Sequence, residues 1–496
     1  MGSSALILPT AHDLVNGTYS PLPAIIAGQA TMTEGVSQLD SPGRPGTIRR
    51  FCTVTPLDVD RAARAAEHAR RKTRVLTRRQ RAEVLRSMAR MLERDAEDLG
   101  QSICWEVGKS LQDSLGEVSR CVATLNTAAE AVSNFAGAEE PLDAVPVGEG
   151  RIGLTIWEPV GVVAGICGFN FPLLLAVHKF AAAIGAGCPT LLKPSDRTPF
   201  TTLALANVAI DSGWPAEAVS VLNGGSDVGA AMVVHSSVRL VSFTGSTQVG
   251  ARIAESAARG LKRVVLELGS NAATIVAPDA DLELAARQCA VGAMASTGQS
   301  CISVQRIIVH RSIEVPFVRD LVRQVESLRR GPAWDRSTIV GTMVAIGEQD
   351  RVIGLIRDAV QRGGRVVTGG TVDDFGLAPT IIVDTPVDAR IGVEEAFGPV
   401  AAVYSYDELD DAIEMANAVP YGLMAGVFTA SLDTALTVAR RLEVGGVNVN
   451  DSSNFRADNM PYGGVKFSGY GKEGPAHAMR EMSVQKVITF KLKMEE

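Results

Sequence analysis

Short apolar runs alternate with helical stretches through the middle of the chain, and this alternation constrains the fold more than any other feature. Residues 160–166 form a nearly continuous apolar run, which is typical of a strand buried on both faces. A helix is predicted over residues 173–186, and further strands and helices follow through residue 268. Such alternation predicts a parallel, wound α/β sheet that binds ligands beyond the carboxyl ends of its strands. A second alternation, from about residue 272 to 460, predicts a second α/β unit.

Length and charge exclude several classes of function. The chain has 496 residues, which predicts two or three domains, and its formal net charge is −7. Because no large basic patch is visible, nucleic acid is not an expected partner. The longest apolar run, residues 171–186, carries His178 and Lys179, so no membrane span is predicted.

Cysteine and histidine usage predicts a reducing compartment and no metal. The seven cysteines are scattered without a Cys-x-x-Cys pair, which predicts reduced thiols in the cytoplasm. The six histidines are equally dispersed, so no metal site is predicted. The N-terminus lacks the charged segment and apolar core of a secretory signal.

The N-terminal part of the chain is predicted to be an arm followed by helices. Residues 1–50 are rich in Gly, Pro, Ser and Thr, and predict a partly ordered arm with one or two edge strands. Thr55 and Pro56 predict a helix start, as N-cap and first-turn residue. Several helices are predicted over residues 58–137, including an amphipathic one over residues 78–99.

One cysteine stands out because small and polar residues surround it. Cys301 lies in the stretch STGQSCIS, residues 296–303, just after a predicted helix over residues 282–295. Small neighbours let a substrate carbonyl approach the sulfur, and a thiolate is the strongest nucleophile among the common side chains. The alternative is that Cys301 only packs, as most free cysteines do.

Two polar residues at predicted strand ends are candidates for catalysis. Asn170 follows the strand over residues 160–166, where its amide could donate a hydrogen bond to a developing oxyanion or simply occupy a turn. Glu267 lies in an apolar strand end, where desolvation raises the pKa of a carboxyl group and suits a general base. The alternative for Glu267 is a pairing with a Lys or Arg elsewhere in the chain.

Two strand ends suit parts of a dinucleotide. Lys193, Ser195 and Asp196 follow a predicted strand, where they could bind ribose hydroxyls or cap the next helix. Gly245 and Ser246 lie between a strand and a helix, where free N–H groups fit a pyrophosphate. The chain has no Gly-x-Gly-x-x-Gly, so this second signal is weak when taken alone.

A later segment, EEAFGPV, could complete a dinucleotide site. Glu395 offers a carboxylate for a ribose, and Phe397 offers a ring that could pack on a flat heterocycle. The alternative is a structural loop with an ordinary core phenylalanine.

Taken together, these segments resemble the aldehyde dehydrogenase superfamily. Seven motifs occur in the family's order over roughly residues 50–490: Phe169-Asn170-Phe171-Pro172, Lys193-Pro194-Ser195, Phe243-Thr244-Gly245-Ser246, Leu266-Glu267-Leu268-Gly269, Gly298-Gln299-Ser300-Cys301, Glu395-Ala396-Phe397-Gly398-Pro399 and Pro461-Tyr462-Gly463-Gly464-Val465-Lys466. The resemblance implies that Cys301 is the nucleophile, that Glu267 is the general base, and that Asn170 and the Cys301 backbone N–H are oxyanion donors. It also implies a cofactor site that comprises Lys193, Ser195 and Asp196 near the adenine ribose, Gly245 and Ser246 near the pyrophosphate, Gly269, and Glu395 and Phe397 near the nicotinamide ribose and ring.

The resemblance further implies a reaction, a domain organisation and an assembly. The reaction is oxidation of an aldehyde to its acid with NAD or NADP, NAD being somewhat favoured, through a thiohemiacetal and a thioester on Cys301. The expected fold is a Rossmann-like parallel-sheet cofactor domain, residues 1–137 and 155–266, with a second α/β catalytic domain, residues 267–460. Residues 138–154 and 476–496 are expected to be oligomerisation segments, with a small β element, that build a homodimer or homotetramer.

The sequence departs from the commonest family pattern at three places. Asp196 stands where a longer Glu is frequent, which affects the preference between NAD and NADP. Phe169 replaces a frequent Trp, and Ser270 replaces a second Gly. With residues 301–306 and 450–453, this pattern is similar to a branch that handles small or functionalised aldehydes, including lactaldehyde- and phosphonoacetaldehyde-type enzymes.

Three other functions stay open on the sequence alone. A non-catalytic binding or structural member of the family is disfavoured because Cys301, Glu267 and Asn170 are all present. A CoA-acylating enzyme is disfavoured because that chemistry does not need a water-activating base. A cysteine hydrolase is disfavoured because no histidine is near Cys301 in the sequence.

One arginine bears on the identity of the aldehyde. Arg456 lies in the loop over residues 450–462, a region that lines the aldehyde entrance in the resembling family. Its guanidinium could pair with a carboxylate, phosphonate or sulfonate on the substrate. The alternative is that Arg456 pairs with a neighbouring acid such as Asp458 or Asp451.

Overall fold

A computed structural model of the chain describes residues 8–17 and 20–492. Within that part the α-helices are α1 Ala11–Asn16, α2 Pro56–Arg74, α3 Arg78–Arg94, α4 Ala96–Val107, α5 Leu111–Ser133, α6 Pro172–Ala186, α7 Thr201–Asp211, α8 Ser226–Val234, α9 Thr247–Ala258, α10 Leu282–Met294, α11 Glu314–Glu326, α12 Ile346–Gln361, α13 Arg390–Val393, α14 Leu409–Asn417, α15 Leu432–Arg441 and α16 Pro475–Glu481. Among these described helices, none is both long enough and apolar enough to cross a membrane.

The strands fall into two large sheets and several small ones. They are β1 Ala24–Ile26, β2 Gln29–Thr31, β3 Gly35–Asp40, β4 Ile48–Thr53, β5 Ala138–Glu140, β6 Arg151–Pro159, β7 Val162–Ile166, β8 Thr190–Lys193, β9 Val219–Val221, β10 Val238–Thr244, β11 Arg263–Glu267, β12 Ala273–Val276, β13 Arg306–His310, β14 Arg365–Thr368, β15 Val372–Asp373, β16 Gly376–Leu377, β17 Thr380–Val383, β18 Val400–Tyr406, β19 Tyr421–Gly422, β20 Met424–Phe428, β21 Gly446–Val449, β22 Val465–Lys466, β23 Gly469–Tyr470 and β24 Ser483–Lys491.

The larger sheet is a wound α/β sheet with the strand order β2-β1-β9-β8-β7-β10-β11-β23. Its five inner strands, β9 to β11, run parallel, and antiparallel strands flank them on both sides. Helices α5, α6 and α7 cover one face, and helices α2, α8 and α9 cover the other. Because both faces are covered, β7 is buried throughout, as its unbroken apolar sequence predicts.

The second sheet has the strand order β14-β17-β18-β13-β12-β20-β21 and is parallel except for β14. Helices α10 and α11 pack on one face of it, while α12, α14 and α15 pack in two further clusters. The predicted fold class, two α/β units with a small β element, is confirmed.

The small β element is an antiparallel sheet in which β6 lies between β24 and β5. Strand β24 pairs with β6 along its full length, from Ser483 opposite Pro159 to Lys491 opposite Arg151. Ile152, Leu154 and Ile156 recur at every second position of β6, so they share one face, and all three are exposed. The role of this sheet in assembly, and the domain boundaries around it, stay predictions.

The N-terminal part is more regular than its composition predicts. Residues 20–53 contain four strands, of which β1 and β2 join an edge of the larger sheet while β3 and β4 form a hairpin. The expected arm of one or two edge strands was therefore too sparse, and residues 1–7 and 18–19 lie outside the described residues. Strand β1 pairs with β2 and β3 pairs with β4, and Ile25 opposite Val221 joins β1 to the larger sheet. The composition of this segment does not predict these pairings.

The helix start at Thr55 is confirmed, and the long helix over residues 78–99 is corrected. Thr55 Oγ1 accepts a hydrogen bond from Asp58 N, and Pro56 is the first helical residue. Helix α3 ends at Arg94, Asp95 separates it from α4, and Leu99 belongs to α4. The apolar spacing continues across the break because both helices bury the same kind of face, so periodicity alone could not place the boundary.

Helix α6 places one candidate residue at the end of β7. The helix is apolar on all sides and fully buried, and it begins two residues after Asn170. Glu117 caps its first turn, because Oε1 accepts hydrogen bonds from Leu173 N at 2.8 Å and Leu174 N at 2.9 Å. Lys109 Nζ lies 2.5 Å from Glu117 Oε2 and donates to the Asn170 carbonyl at 3.0 Å. This buried ion pair fixes the turn that carries Asn170.

Candidate active site

A cleft of about 970 Å³ opens beyond the carboxyl ends of β7, β10 and β11, where the sequence predicts a ligand. Loops after α10 and after α13, from the second sheet, form its opposite wall. Most of the predicted site residues line this one cleft: Asn170, Gly245, Ser246, Glu267, Gly269, Cys301, Glu395 and Phe397.

Three predicted cofactor residues lie apart from the cleft lining. Lys193 is the last residue of β8, the strand next to β7 in the sheet, and Ser195 and Asp196 follow it. Lys193 Nζ pairs with Asp196 Oδ1 at 3.1 Å, and Ser195 Oγ accepts a hydrogen bond from the backbone N–H of Arg197. The Lys193 side chain is 9% exposed and the Asp196 side chain 54% exposed, so the carboxylate is open to a ligand.

Cys301 differs from the other cysteines in its exposure. The other six are buried, whereas Cys301 is partly exposed at the cleft. A tight turn precedes it, in which Ser296 and Thr297 have φ of 51° and 58°. At Gly298 an added Cβ would lie 2.0 Å from the Gly398 carbonyl oxygen, so only glycine fits there. The turn before Cys301 therefore packs closely on the loop that carries Glu395 and Phe397.

The thiol of Cys301 has one hydrogen-bond partner among the residues that the structure describes. Its Sγ lies 3.1 Å from the hydroxyl oxygen of Tyr462. Burial raises the pKa of the Cys301 thiol to about 11, while the Tyr462 hydrogen bond acts in the opposite direction. The thiol is therefore mostly protonated at neutral pH in this arrangement of the site.

Asn170 presents its amide to the same loop. Asn170 Nδ2 donates a hydrogen bond to the Gln299 carbonyl at 2.8 Å, two residues before Cys301. A side-chain amide carries two N–H donors, so one remains for another acceptor. The expected alternative, a plain turn residue, accounts for the backbone position but not for this side-chain contact.

Glu267 is a buried carboxyl group without partners. It is 3% exposed at the end of β11, and neither Oε1 nor Oε2 has a hydrogen-bond partner among the described residues. Burial raises its pKa well above the ordinary range, and the nearby carboxylate of Glu473 raises it further. The alternative of a Lys or Arg that pairs directly with Glu267 is not what the structure shows. An unpartnered carboxyl group of this kind marks a functional site more often than a structural one.

Sequence reasoning missed three residues next to these groups. Tyr462 lies in the motif PYGGVK, residues 461–466, yet only the fold shows its hydroxyl beside the sulfur. Lys179 donates to Thr244 Oγ1 at 2.6 Å and pairs with Glu473 at 3.2 Å. The signal for Lys179 was present, because a lysine inside an otherwise apolar, buried helix needs a partner. Glu473 lies in a loop without any such signal.

The opposite end of the cleft has the features of a phosphate and ribose site. Ser246 is the N-cap of α9, and its Oγ accepts a hydrogen bond from Val249 N. The first N–H groups of a helix have no intrahelical partners, so the turn at Gly245, Ser246 and Thr247 can bind an anion. At Gly245 an added Cβ would lie 2.4 Å from the Phe243 ring, so the turn has no room for a side chain.

Glu395 and Phe397 lie close to that turn. Glu395 Oε1 accepts a hydrogen bond from Ser270 N at 2.9 Å, and a Cβ at Gly269 would lie 2.7 Å from Oε2. Burial raises the pKa of Glu395 to about 7. Phe397 has a φ of 49°, which is unusual for a bulky residue, and its ring meets the Phe169 ring edge-on with centroids 5.7 Å apart. The turn at Gly245 and Ser246 offers backbone N–H groups, Glu395 offers an acceptor and Phe397 offers a flat ring. These three features together fit a dinucleotide.

The loop arginine pairs within the protein. Arg456 Nη2 lies 3.2 Å from Glu473 Oε2, and Arg456 Nε lies 3.5 Å from Asp458 Oδ1. Its guanidinium carbon also lies 3.7 Å from the centre of the Tyr462 ring. The expected alternative for Arg456, a pairing with Asp458, is therefore present, and Arg456 lines the cleft as well.

Comparisons with known proteins agree with this geometry. Residues 34–488 match the aldehyde dehydrogenase family. The chain is 41% identical over 440 residues to a 3-sulfolactaldehyde dehydrogenase from Priestia aryabhattai, a match that covers 88% of this chain and 91% of the relative. This relative confirms the expected resemblance to enzymes for small functionalised aldehydes.

Solved structures show the same fold in enzymes of both cofactor types. An NAD-dependent aldehyde dehydrogenase from Sinorhizobium meliloti superposes with a TM-score of 0.93 at 30% identity, covering 99% of each chain. An NADP-dependent enzyme from E. coli superposes with a TM-score of 0.93 at 30% identity, covering 96% of this chain and 99% of that one. The chain therefore belongs to the aldehyde dehydrogenase family, as an oxidoreductase that oxidises an aldehyde with NAD or NADP.

Proposed function

We propose that Cys301 is the nucleophile, Glu267 the general base and Asn170 an oxyanion donor in the oxidation of an aldehyde to its carboxylic acid. The observation that supports this most strongly is the convergence of the three side chains on one cleft from three separate elements. A partly exposed thiol, an unpartnered buried carboxyl group and an amide with a spare donor are what acyl chemistry with hydrolysis requires.

Covalent chemistry begins at the sulfur. The thiolate of Cys301 adds to the aldehyde carbon, and the carbonyl π electrons move to oxygen to give a tetrahedral thiohemiacetal. The remaining N–H of Asn170 and the backbone N–H of Cys301 donate to that oxygen. When bound, the nicotinamide of NAD or NADP supplies the hydride acceptor that converts the thiohemiacetal to a thioester.

Glu267 acts on the thioester. Its carboxylate removes a proton from water, the hydroxyl adds to the thioester carbon, and the C–S bond breaks to release the acid and the thiol. Burial raises the pKa of Glu267, so its carboxylate is a stronger base than that of an exposed glutamate.

Residues of the cofactor end have the roles that the resemblance implies. The backbone N–H groups of Ser246 and Thr247 would bind the pyrophosphate. Gly245 would leave room for it, since its own N–H donates to the Glu267 carbonyl at 3.0 Å. Glu395 would accept from a ribose hydroxyl while Phe397 packs near the nicotinamide. Lys193, Ser195 and Asp196 would bind the adenine ribose, with Gly269 leaving room for Glu395. Asp196 next to the ribose supports NAD over NADP, because a carboxylate repels a ribose phosphate.

A CoA-acylating reaction fits this site less well. Transfer of the acyl group to a thiol needs no base that activates water, yet the site holds a buried, unpartnered carboxyl group next to the cleft.

Free cysteines throughout the described chain support a reducing location such as the cytoplasm.

Two variants test the roles of Cys301 and Glu267. Cys301→Ala should abolish aldehyde-dependent reduction of NAD or NADP while cofactor binding, measured by calorimetry, stays unchanged. Glu267→Gln should give a burst of reduced cofactor and then a steady state slower by roughly 10²–10⁴-fold, the usual contribution of a general base. Oxidation by Cys301→Ala above a trace level, or normal turnover by Glu267→Gln, would refute these roles.

We further propose that the chain forms a homodimer or homotetramer through the small sheet of β5, β6 and β24. Its exposed apolar side chains, Ile152, Leu154 and Ile156, share one face, and exposed apolar strand surfaces are usually covered. Light scattering at micromolar concentration should give at least a dimer. Replacement of Leu154 by Lys should lower the mass, and a monomeric wild type would contradict the proposal.

A further inference from the structure

Three basic side chains at the aldehyde end of the cleft have no role in the proposed chemistry. Arg120 on α5, His178 on α6 and Arg456 in the loop after β21 all line the cleft. They approach one carboxylate oxygen, Asp458 Oδ1, from three elements: Arg120 Nη2 at 2.8 Å, His178 Nε2 at 3.1 Å and Arg456 Nε at 3.5 Å. Asp458 does not itself line the cleft, so the basic groups form the surface that a substrate meets.

The cluster carries more positive than negative charge. Its permanent cations are the two arginines and Lys179, and its carboxylates are Asp458 and Glu473. Glu267 does not pair with any of these cations, because neither of its oxygens has a hydrogen-bond partner among the described residues. An excess of buried positive charge is unfavourable unless an anion joins it.

Arg120 and Arg456 each have N–H groups without an acceptor among the described residues. Arg120 uses Nε and Nη2 for Asp458, and its Nη1 has no acceptor among the residues that the structure describes. Arg456 Nη1 likewise has no acceptor in the described part of the chain, although the side chain is only 8% exposed. A guanidinium carries five N–H donors, so each arginine can bind an oxyanion without leaving its present partners.

The other acids on this wall are already engaged. Glu117 pairs with Lys109 and caps α6. Asp113 accepts a hydrogen bond from Ser296 N at 2.9 Å. Neither carboxylate therefore competes for Arg120 or Arg456.

The cluster lies one aromatic ring away from the sulfur. Arg456 stacks on Tyr462 at 3.7 Å from the ring centre, and the Tyr462 hydroxyl lies 3.1 Å from Cys301 Sγ. A small aldehyde could therefore place an anionic group on this cluster and its carbonyl group at Cys301, with only a few bonds between the two groups.

We propose that Arg120, with Arg456 and His178, is an anion-binding subsite, and that the substrate is a small aldehyde with a carboxylate, sulfonate or phosphonate group. This inference rests on the proposed function, because it places the carbonyl at Cys301. Arg120 is the residue that sets specificity, since it is the more exposed arginine and stands apart from the catalytic groups. Asp458 positions Arg120 by its two hydrogen bonds.

The test compares aldehydes of similar length that differ in charge. The kcat/KM values for 4-oxobutanoate, 3-oxopropane-1-sulfonate and pentanal are measured for the wild type, Arg120→Met and Arg120→Lys. Methionine keeps the apolar stem without the charge, and lysine keeps the charge without the second donor. The matched control is Arg90→Met, which removes an arginine from an exposed ion pair on α3.

The wild type should prefer the anionic aldehydes, and Arg120→Met should reduce the ratio of kcat/KM for each anionic aldehyde to kcat/KM for pentanal roughly ten- to hundredfold. Arg120→Lys should retain part of the preference, and Arg90→Met all of it. A wild type that prefers pentanal, or a preference unchanged in Arg120→Met, would overturn the subsite.

A second measurement separates the subsite from the proposed chemistry. Succinate, which is anionic and cannot be oxidised here, should protect Cys301 from iodoacetamide at lower concentration in the wild type than in Arg120→Met. If no aldehyde is oxidised at all, the proposed function fails, and this protection still decides the subsite. Equal protection in both proteins would overturn the anion-binding role of Arg120.

Discussion

Two buried glutamates on the same cleft have opposite surroundings. Glu117 is 1% exposed and has a partner for each oxygen: the Lys109 ammonium on one and the N–H groups of Leu173 and Leu174 on the other. Glu267 is 3% exposed and has no hydrogen-bond partner among the described residues. A buried carboxylate with a full set of partners holds the fold, whereas one without partners destabilises the fold and is free to react.

The surroundings of each glutamate follow from its element. Glu117 lies in the middle of α5, opposite the first turn of α6, where unpaired N–H groups attract a carboxylate. Glu267 is the last residue of β11, so its side chain leaves the sheet and enters the cleft. A helix surface offers a glutamate fixed partners, and a strand end offers it open space.

The largest effect is expected from Glu117→Gln. This variant leaves the Lys109 ammonium buried without a countercharge and weakens the cap on α6. The free energy of unfolding should fall by about 3–5 kcal/mol, the usual result of breaking a buried ion pair from one side. Urea unfolding followed by circular dichroism measures it.

A surface pair provides the control for that variant. Lys72 and Glu217 are 61% and 48% exposed, so Glu217→Gln should change the free energy of unfolding by less than about 1 kcal/mol. A loss for Glu117→Gln that does not exceed this control would show that the buried pair is not structural.

Glu267→Gln should have the opposite effect on stability, and the effect should depend on pH. The folded-state pKa of Glu267 is raised, so above the unfolded pKa of about 4.3 the folded protein holds a proton that the unfolded chain has lost. The contribution of Glu267 to the free energy of unfolding therefore decreases as pH rises from about 4.3 toward the raised pKa of the folded state. Glutamine cannot titrate, so the stability of the variant relative to the wild type should increase between pH 5 and pH 8. The difference between their urea midpoints measures this increase.

The neighbouring acid titrates in the other direction. Lys179, His178 and Arg456 hold the pKa of Glu473 well below the ordinary range in spite of its burial. Its stabilising contribution is thus complete above the unfolded pKa and is lost only in strong acid. A gain for Glu267→Gln that is equal at pH 5 and pH 8 would contradict the assignment of a raised pKa to Glu267.

The sequence predicted the open glutamate but not the paired one. Glu267 could be found because one carboxyl group interrupts an apolar strand, and Cys301 because small residues surround it. Glu117 and Lys109 give no such signal, since charged residues are common on amphipathic helices. Their pairing depends on how α5 packs on α6, which involves residues far apart in the sequence. The same holds for Tyr462 beside Cys301, and for Arg120 beside Asp458.

The fold shows a similar division. The strands and helices of the larger sheet were predictable because their apolar runs are short and regularly spaced. The strand predicted over residues 160–166 is β7, and the helix predicted over residues 173–186 is α6. The strands of residues 20–53 were not predictable, because pairing with other strands orders them rather than their own pattern. Local patterns specify elements, and contacts between distant elements specify edges and sites.

The smallest effect is expected from a change at Tyr462. Its hydroxyl is the hydrogen-bond partner of the Cys301 thiol, whereas Glu267 has no such partner among the described residues. Tyr462→Phe removes the hydroxyl at 3.1 Å from Cys301 Sγ and keeps the ring on which Arg456 stacks. That hydrogen bond lowers the pKa of a thiol that burial raises to about 11, so the variant should have less thiolate at any pH below that value. The pKa of the Tyr462 phenol is itself raised by burial, so the phenol stays a donor throughout this range.

The rate of Cys301 alkylation by iodoacetamide measures this effect. The rate should rise with pH in both proteins but be slower in Tyr462→Phe by roughly 3- to 10-fold, the worth of one hydrogen bond. Tyr470→Phe, which changes an exposed tyrosine on β23, should match the wild type, and superimposable profiles for wild type and Tyr462→Phe would mean that Tyr462 only packs beside the sulfur.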